Sequence, residues 1–170
     1  RAEFTKMLNS AIGNTAETDI NFPDVKSGKW YFNDVQKGVA AGFISGKSNG
    51  DFAPDAKITR QETAVMLSRI VPTSGSNATL KVYSDYKDVE YWAETALEKI
   101  TAKGYLGAYN DGKLHPKDNL TRGQAAKILT LVLQKETIDK NNKRIVAHDG
   151  SDIVLKDTIY SNNMTIDATA

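Results

Sequence analysis

The chain has 170 residues, of which 40% are hydrophobic and 25% are charged, and its formal net charge is +1. A balanced charge of this kind argues against a nucleic-acid-binding protein, which usually has a clear basic excess. The chain contains no cysteine, which excludes disulfides and thiolate metal sites. No apolar run approaches the length of a membrane-spanning helix.

The first segment, residues 1–14, is predicted to form one amphipathic helix. Its apolar residues recur at a spacing of three and four, which places them on one helical face. These residues are Phe4, Met7, Leu8, Ala11 and Ile12. Gly13-Asn14 then predicts the end of the helix. Because the chain opens inside this pattern, we interpret it as part of a longer precursor.

The second segment, residues 20–72, is predicted to contain two helices joined by a turn-rich loop. The first helix is expected to begin near Trp30 and to stop at Gly42. The loop contains Asn49-Gly50, a pair that favours positive backbone φ angles. The second helix is expected to begin at Thr59. Its inward stripe is predicted to consist of Ala64, Leu67, Ile70 and Val71.

The same order of features returns in residues 81–134, after a linker predicted over 73–80. Trp92 corresponds to Trp30, and 30 residues separate the tryptophan from the next helix-start arginine in both copies. In this alignment Asp88 corresponds to Asp24. A period of about 60 residues predicts repeats that share a core, because one small unit cannot bury its own apolar face.

Each complete repeat ends in a helix whose start has the same pattern. Thr59 and Thr121 are predicted N-caps, with Glu62 and Gln124 three residues later, and this spacing defines a capping box. An arginine follows each threonine, where a cation opposes the helix dipole. Two interpretations remain open: the arginine binds an anion, or it is exposed or paired in an ion pair.

The ordered motifs resemble those of the S-layer homology (SLH) domain family. They are Phe-x-Asp-Val, Trp, Gly-Phe/Tyr-Ile/Leu, Asn/Asp-Gly, Phe/Leu-x-Pro and Ile/Leu-Thr-Arg-x-Glu/Gln. The resemblance covers residues 1–134, as two full repeats preceded by the last helix of a truncated one. It implies a mainly α fold in which tandem helix-loop-helix repeats form a pseudo-threefold, three-pronged spindle around a three-helix bundle.

The resemblance also implies a function in the extracellular space, at the bacterial cell wall or S-layer. SLH domains anchor exported proteins non-covalently by binding secondary cell-wall polysaccharide, often through a pyruvylated amino sugar, in grooves between repeats. Other S-layer protomers are possible partners. The alternative class is a structural self-assembly module that acts through protein–protein contacts. Neither class requires a cofactor, nucleic acid or membrane insertion.

The candidate carbohydrate-binding residues are those at the repeated motif positions. They are Arg1, Arg60, Arg122, Trp30, Trp92, Asp24, Asp88, Gly46, Gly50, Asp111 and Gly112. Arginine grips a carboxylate such as that of a pyruvate ketal through two parallel hydrogen bonds, and the free N–H groups of a helix start also favour an anion. Each tryptophan is predicted either to contact sugar or to pack in the core. The glycines and aspartates fit ligand contact or turn structure.

Motifs for other chemistry are incomplete. Gly46-Lys47-Ser48 lacks the earlier glycine of a phosphate-binding loop, because residue 41 is alanine. The Asp-Gly turns lack the ligand series of a calcium loop. His115 and His148 lie in unrelated segments, and no nucleophile is associated with a base. We therefore predict no catalytic residues, no metal site and no enzyme activity in this chain.

The last part of the chain differs in character. Residues 135–144 are highly charged and are predicted to be a linker. Residues 145–170 contain short β-prone runs separated by Asp, Gly and Asn. We interpret them as the start of a β-rich domain.

Overall fold

The computed structural model describes residues 1–72, 79–139 and 144–147. This part is mainly helical, as predicted. Its α-helices are α1 (Ala2–Ile12), α2 (Phe32–Ala40), α3 (Arg60–Ser68), α4 (Glu94–Ala102) and α5 (Arg122–Lys135). Short 3-10 turns at Leu80–Val82, Tyr86–Asp88 and Tyr91–Ala93 precede α4.

The helix boundaries follow the local signals with two differences, at the start of α2 and at the end of α3. α3 ends at Ser68, before Ile70 and Val71 of its predicted inward stripe, although both of these residues are buried. α1 ends at Gly13, which has a left-handed φ of 63°. α2 begins at Phe32, two residues later than predicted, because the chain turns tightly around Gly28 before the helix can start. Both predicted capping boxes form, and in α3 the Thr59 Oγ1 accepts from Glu62 N while Glu62 Oε2 accepts from Thr59 N.

The helices pack mainly across repeat boundaries. α1 packs on α2 and α3 packs on α4, so the last helix of one repeat contacts the first helix of the next, and α1 also contacts α5. All five helices contribute to one hydrophobic core. Phe43, Phe52 and Leu67 are fully buried in it. The prediction that the repeats share a core is therefore confirmed.

An aspartate fixes the loop of each repeat. The carboxylate of Asp24 accepts hydrogen bonds from Phe52 N at 2.9 Å and Ala53 N at 2.6 Å. In the second repeat the same bonds run to Asp85, from Leu114 N at 3.0 Å and His115 N at 2.7 Å.

The predicted equivalence of Asp88 with Asp24 is therefore wrong. The second repeat has one additional residue between its aspartate and its tryptophan, so Asp85 occupies the position of Asp24. Asp88 is exposed at the end of a 3-10 turn. The aspartates in the equivalent positions bind loop backbone, which favours the structural interpretation over ligand contact.

The ends of the second repeat differ from the predicted linkers. Leu80 is 3% exposed and already belongs to the core, while residues 73–78 lie outside the described part. β1 (Glu136–Asp139) lies in the predicted linker at 135–144 and pairs antiparallel with β2 (Arg144–Ala147), which starts at the last residue of that linker and continues into the segment predicted to be β-rich. Residues 148–170 lie outside the described residues, so the β-rich domain stays a prediction.

Candidate carbohydrate-binding groove

The helix-start arginines connect each repeat to the loop of the next. Arg1 Nε donates to the carbonyl of Phe52 at 2.8 Å, and Arg60 Nε donates to the carbonyl of Leu114 at 2.8 Å. Phe52 and Leu114 occupy equivalent loop positions. The same hydrogen bond therefore recurs between consecutive repeats and joins them.

The backbone at the helix starts is engaged by the same loops. Arg60 N donates to Asp118 O at 3.0 Å and Gln61 N donates to Pro116 O at 2.9 Å. Ala2 N makes the equivalent bond to Pro54 O at 3.0 Å. The expectation that free N–H groups at the start of α3 receive an anion is wrong, because carbonyls of the following repeat already accept those bonds.

Arg60 is buried rather than exposed. Its residue is 6% exposed, and its guanidinium also donates to the carbonyl of Gly107 and lies 4.4 Å from the centre of the Tyr109 ring. Gln124 Nε2 donates to the hydroxyl of Tyr109 at 2.6 Å and holds that ring in place. Arg60 thus faces protein atoms and not an open groove.

Arg122 has a third environment. Its side chain is 77% exposed, and it forms an ion pair with Glu3 of α1 at 3.3 Å. Within the described residues, Arg122 N and Gly123 N have no hydrogen-bond acceptor. The second interpretation of the repeated arginine, a side chain that is exposed or ion-paired, therefore fits Arg122, which is both, and Arg1, which is paired with Glu62 at 2.7 Å.

A groove lies between the two complete repeats. We call it the Lys47 groove; the loop over residues 43–48 forms one wall, α3 forms the floor, and Trp92 of the next repeat closes the far side. Its volume is about 520 Å³, within the usual range for a ligand site. It brings together three predicted site residues, Arg1, Gly46 and Trp92.

Positive charge dominates the Lys47 groove. Glu62 neutralises Arg1 through an ion pair of 2.7 Å. Arg69 donates to the carbonyl of Phe43 at 3.0 Å, and burial together with the charge of Arg1 lowers the pKa of its guanidinium. Within the described residues Lys47 and Arg69 have no acidic partner, so the groove suits an anion.

Both tryptophans are exposed at grooves. Trp92 is 56% exposed and Trp30 is 55% exposed, so neither ring is a core residue. Trp30 packs edge-on against Tyr31 at 5.4 Å between ring centres, and Lys6 Nζ lies 5.7 Å from the centre of its ring. The core-packing interpretation is wrong for both residues, and the available ring faces fit sugar contact.

A smaller groove of about 310 Å³ lies beside α1 and includes Trp30, Arg122 and Arg1. We call it the Trp30 groove. Its Glu3 and Met7 occupy the helical positions that Glu62 and Met66 occupy in the Lys47 groove. The two grooves are therefore related by the repeat, although the Trp30 groove has no described loop corresponding to residues 43–48.

The remaining candidate residues support turns. Gly50 has a φ of 85° and Gly112 a φ of 74°, which the type of turn requires. Asp111 Oδ2 lies 2.7 Å from His115 Nε2, and this hydrogen bond lowers the pKa of the Asp111 carboxyl. Gly46 differs, because its own backbone borders the Lys47 groove and an added Cβ would lie 2.7 Å from the Phe22 ring.

Sequence reasoning missed Lys47 and Arg69 as candidate site residues. Lys47 was considered only as part of an incomplete phosphate-binding loop. Arg69 follows the last turn of α3, where a cation is expected for its effect on the helix dipole alone. A comparison of the two repeats could have identified both residues, because each is charged while its equivalent in the second repeat, Tyr109 or Leu131, is uncharged.

Among the described residues, no cluster of three or more His, Asp or Glu side chains could hold a metal ion. None of the helices described is long and apolar enough to cross a membrane.

The fold and the grooves define a class: a tandem helical-repeat module with grooves between its repeats. Residues 21–64 and 82–126 match the model of the S-layer homology domain. The chain therefore belongs to the S-layer homology domain family. Its membership indicates an extracellular protein of the cell wall or S-layer that serves in surface anchoring.

Known relatives include both enzymes and surface proteins. The chain is 34% identical over 140 residues to an endoglucanase of Bacillus sp. (strain KSM-635), covering 79% of this chain and 15% of that protein. It is 29% identical over 164 residues to the surface-layer 125 kDa protein of Lysinibacillus sphaericus, covering 89% and 14%. It is 28% identical over 138 residues to the cellulosome-anchoring protein of Acetivibrio thermocellus, covering 78% and 30%. The chain thus spans less than a third of each of these relatives.

Proposed function

We propose that this module anchors its protein to the cell wall by binding secondary cell-wall polysaccharide in the Lys47 groove. The observation that carries the proposal is the combination of Lys47 and Arg69, two cations that have no acidic partner among the described residues, beside the exposed ring of Trp92. The ligand class is a pyruvylated amino sugar. The role is binding, with no catalytic step and no cofactor.

Each part of the proposed site matches a part of such a sugar. A pyruvate ketal carries one carboxylate, which Arg69 can bind with the donors that Phe43 does not use. Lys47 adds a mobile charge at the rim. The face of Trp92 offers an apolar surface for the sugar ring, and Gly46 borders the groove with its backbone, where glycine is required because an added Cβ would lie 2.7 Å from the Phe22 ring.

The proposed architecture is the three-pronged spindle. Two ion pairs support it: Arg1 to Glu62 relates α1 to α3, and Arg122 to Glu3 relates α5 to α1. Each pair joins the helix-start arginine of one repeat to the acidic residue that stands two positions after the helix-start arginine of another repeat. The third pair of a closed ring would join Arg60 to residue 124, which is glutamine here.

Calorimetric titration with a pyruvylated amino-sugar glycoside, and with the same glycoside lacking the ketal, tests the function. We expect saturable binding of the pyruvylated ligand alone. Arg69→Leu introduces the residue found at the equivalent position 131, and loss of a charge-assisted contact should cost roughly 1.5–3 kcal/mol of binding free energy. Lys81→Ala removes an exposed lysine outside the groove and serves as the control.

Equal binding of both glycosides would contradict the proposed ligand class, and an unaltered affinity of the Arg69→Leu variant would contradict the proposed site. If neither glycoside binds while the protein self-associates in a concentration-dependent way, the self-assembly alternative accounts for the module.

A further inference from the structure

The two complete repeats do not form equivalent grooves. In the Lys47 groove, Lys47 and Arg1 both line the cavity, while the Arg1 side chain is 9% exposed and its guanidinium lies 5.2 Å from the centre of the Phe52 ring. At the loop position equivalent to Lys47 in the second repeat stands Tyr109, and its ring covers Arg60 at 4.4 Å. The same loop scaffold thus presents a cation in one repeat and an aromatic ring in the other.

A hydrogen bond from Gln124 of α5 holds the Tyr109 ring over Arg60. Gln124 uses Oε1 to accept from Thr121 N at 2.9 Å, and its Nε2 donates to the Tyr109 hydroxyl at 2.6 Å. Glu62, at the equivalent position in α3, binds Arg1 instead. Glutamine at 124 therefore supports the covering ring, whereas glutamate at 62 supports the arginine of the open groove.

The backbone geometry and the charges change with the ring. Gly46 has a φ of 72°, while its equivalent Ala108 does not adopt a positive φ, so the two loops enter the groove along different paths. The second cation is also absent, because Leu131 replaces Arg69. Three substitutions therefore remove the features that make the Lys47 groove suitable for an anion.

We infer that Tyr109 closes the groove of the second repeat, and that the glycan binds at the Lys47 groove and not at Arg60. Tyr109 then determines which groove the glycan occupies, and the hydrogen bonds of Arg60 hold consecutive repeats together. The inference about the glycan rests on the proposed function, whereas the closure of the groove does not.

The first experiment uses no glycan. Modification of arginines by phenylglyoxal, located by mass spectrometry, reports which guanidinium groups are accessible. We expect Arg60 to be protected in the wild-type chain and to react at least tenfold faster in Tyr109→Ala. Tyr109→Phe keeps the ring and should stay near wild type, and the rate at Arg69 should not change. Tyr109→Lys, the residue of the first repeat, is the second opening variant.

The second experiment follows side-chain NMR signals during titration with the pyruvylated amino-sugar glycoside. The indole N–H of Trp92 and the Nε–H of Arg69 should shift with one saturation curve, while the Nε–H of Arg60 stays unchanged.

Wild-type modification of Arg60 as fast as Arg69, or no acceleration in either opening variant, would overturn the closure. A shift of Arg60 that saturates together with Trp92 would overturn the assignment of the glycan to one groove. If the glycoside shifts no signal, the proposed function fails, and the modification rates still decide whether Tyr109 closes its groove.

Discussion

At the scale of single residues, the three helix-start arginines show how one motif position acquires three roles. Arg1 is paired with Glu62 at the edge of an open groove, Arg60 is buried beneath Tyr109, and Arg122 is exposed beside Glu3. The intrinsic chemistry of the side chain is the same in each case. Arg1 and Arg60 are both largely buried and both donate to a loop carbonyl of the next repeat, and they differ in the loop residue at the equivalent position, Lys47 or Tyr109.

Arg60→Ala is expected to destabilise the fold. It removes the hydrogen bonds from the guanidinium to the carbonyls of Leu114 and Gly107, and the free energy of unfolding should fall by roughly 1.5–3 kcal/mol. Urea denaturation measures the change. Arg122→Ala is the matched control and should stay within about 0.5 kcal/mol of wild type, because an exposed ion pair contributes little. Equal losses in the two variants would contradict the structural role of Arg60.

Asp85 should make stability depend on pH. Burial raises the pKa of this carboxyl, but hydrogen bonds from Leu114 N and His115 N outweigh burial and lower the pKa overall. A lowered pKa means that the stabilisation is complete above the ordinary aspartate value, about 4, and is lost as the pH falls below it. The difference in unfolding free energy between wild type and Asp85→Asn should therefore shrink between pH 6 and pH 3. A constant difference across that range would show that the carboxylate charge is not involved.

Sequence patterns could predict which residues recur in each repeat, but not which atoms form hydrogen bonds with them. The spacing from tryptophan to arginine is the same in both repeats, so those equivalences hold. The spacing from aspartate to tryptophan is one residue longer in the second repeat, so the sequence alignment placed Asp88, and not Asp85, opposite Asp24. Only the hydrogen bonds to the loop backbone distinguish the two.

At the scale of elements, the start of α3 is held by two restraints. A capping box acts within α3, and carbonyls of residues 116 and 118 accept from its first two N–H groups. The capping box could be predicted from sequence, because it depends on residues three apart. The second restraint could not, because its carbonyls lie more than 50 residues away along the chain.

Thr59→Ala should lower the free energy of unfolding by about 1 kcal/mol, because the N-cap acceptor of Glu62 N is lost. Thr59→Ser keeps the hydroxyl and should stay near wild type. Thermal or urea unfolding of the three proteins measures the effect. If alanine and serine gave the same stability as threonine, the carbonyls from the next repeat would be sufficient to cap α3.

At the scale of the whole molecule, the repeats form a single core and place different grooves around it. The helix pairs α1–α2 and α3–α4 cross repeat boundaries, so no repeat buries its apolar residues by itself. This arrangement makes the surface between repeats a constant feature of the fold. We propose that the loops and the residues at 47, 69, 109 and 131 determine which of those surfaces accepts a ligand.

The central claim is that the Lys47 groove attaches the protein to wall polysaccharide, and cosedimentation with purified bacterial cell wall tests it most directly. The chain should sediment with intact wall and stay in solution with wall from which the secondary polysaccharide has been extracted. The double variant Lys47→Ala/Arg69→Leu should stay in solution with both, while Lys81→Ala should sediment with intact wall like the wild type. Equal sedimentation of the wild type with intact and extracted wall, or full retention of the double variant on intact wall, would contradict the account.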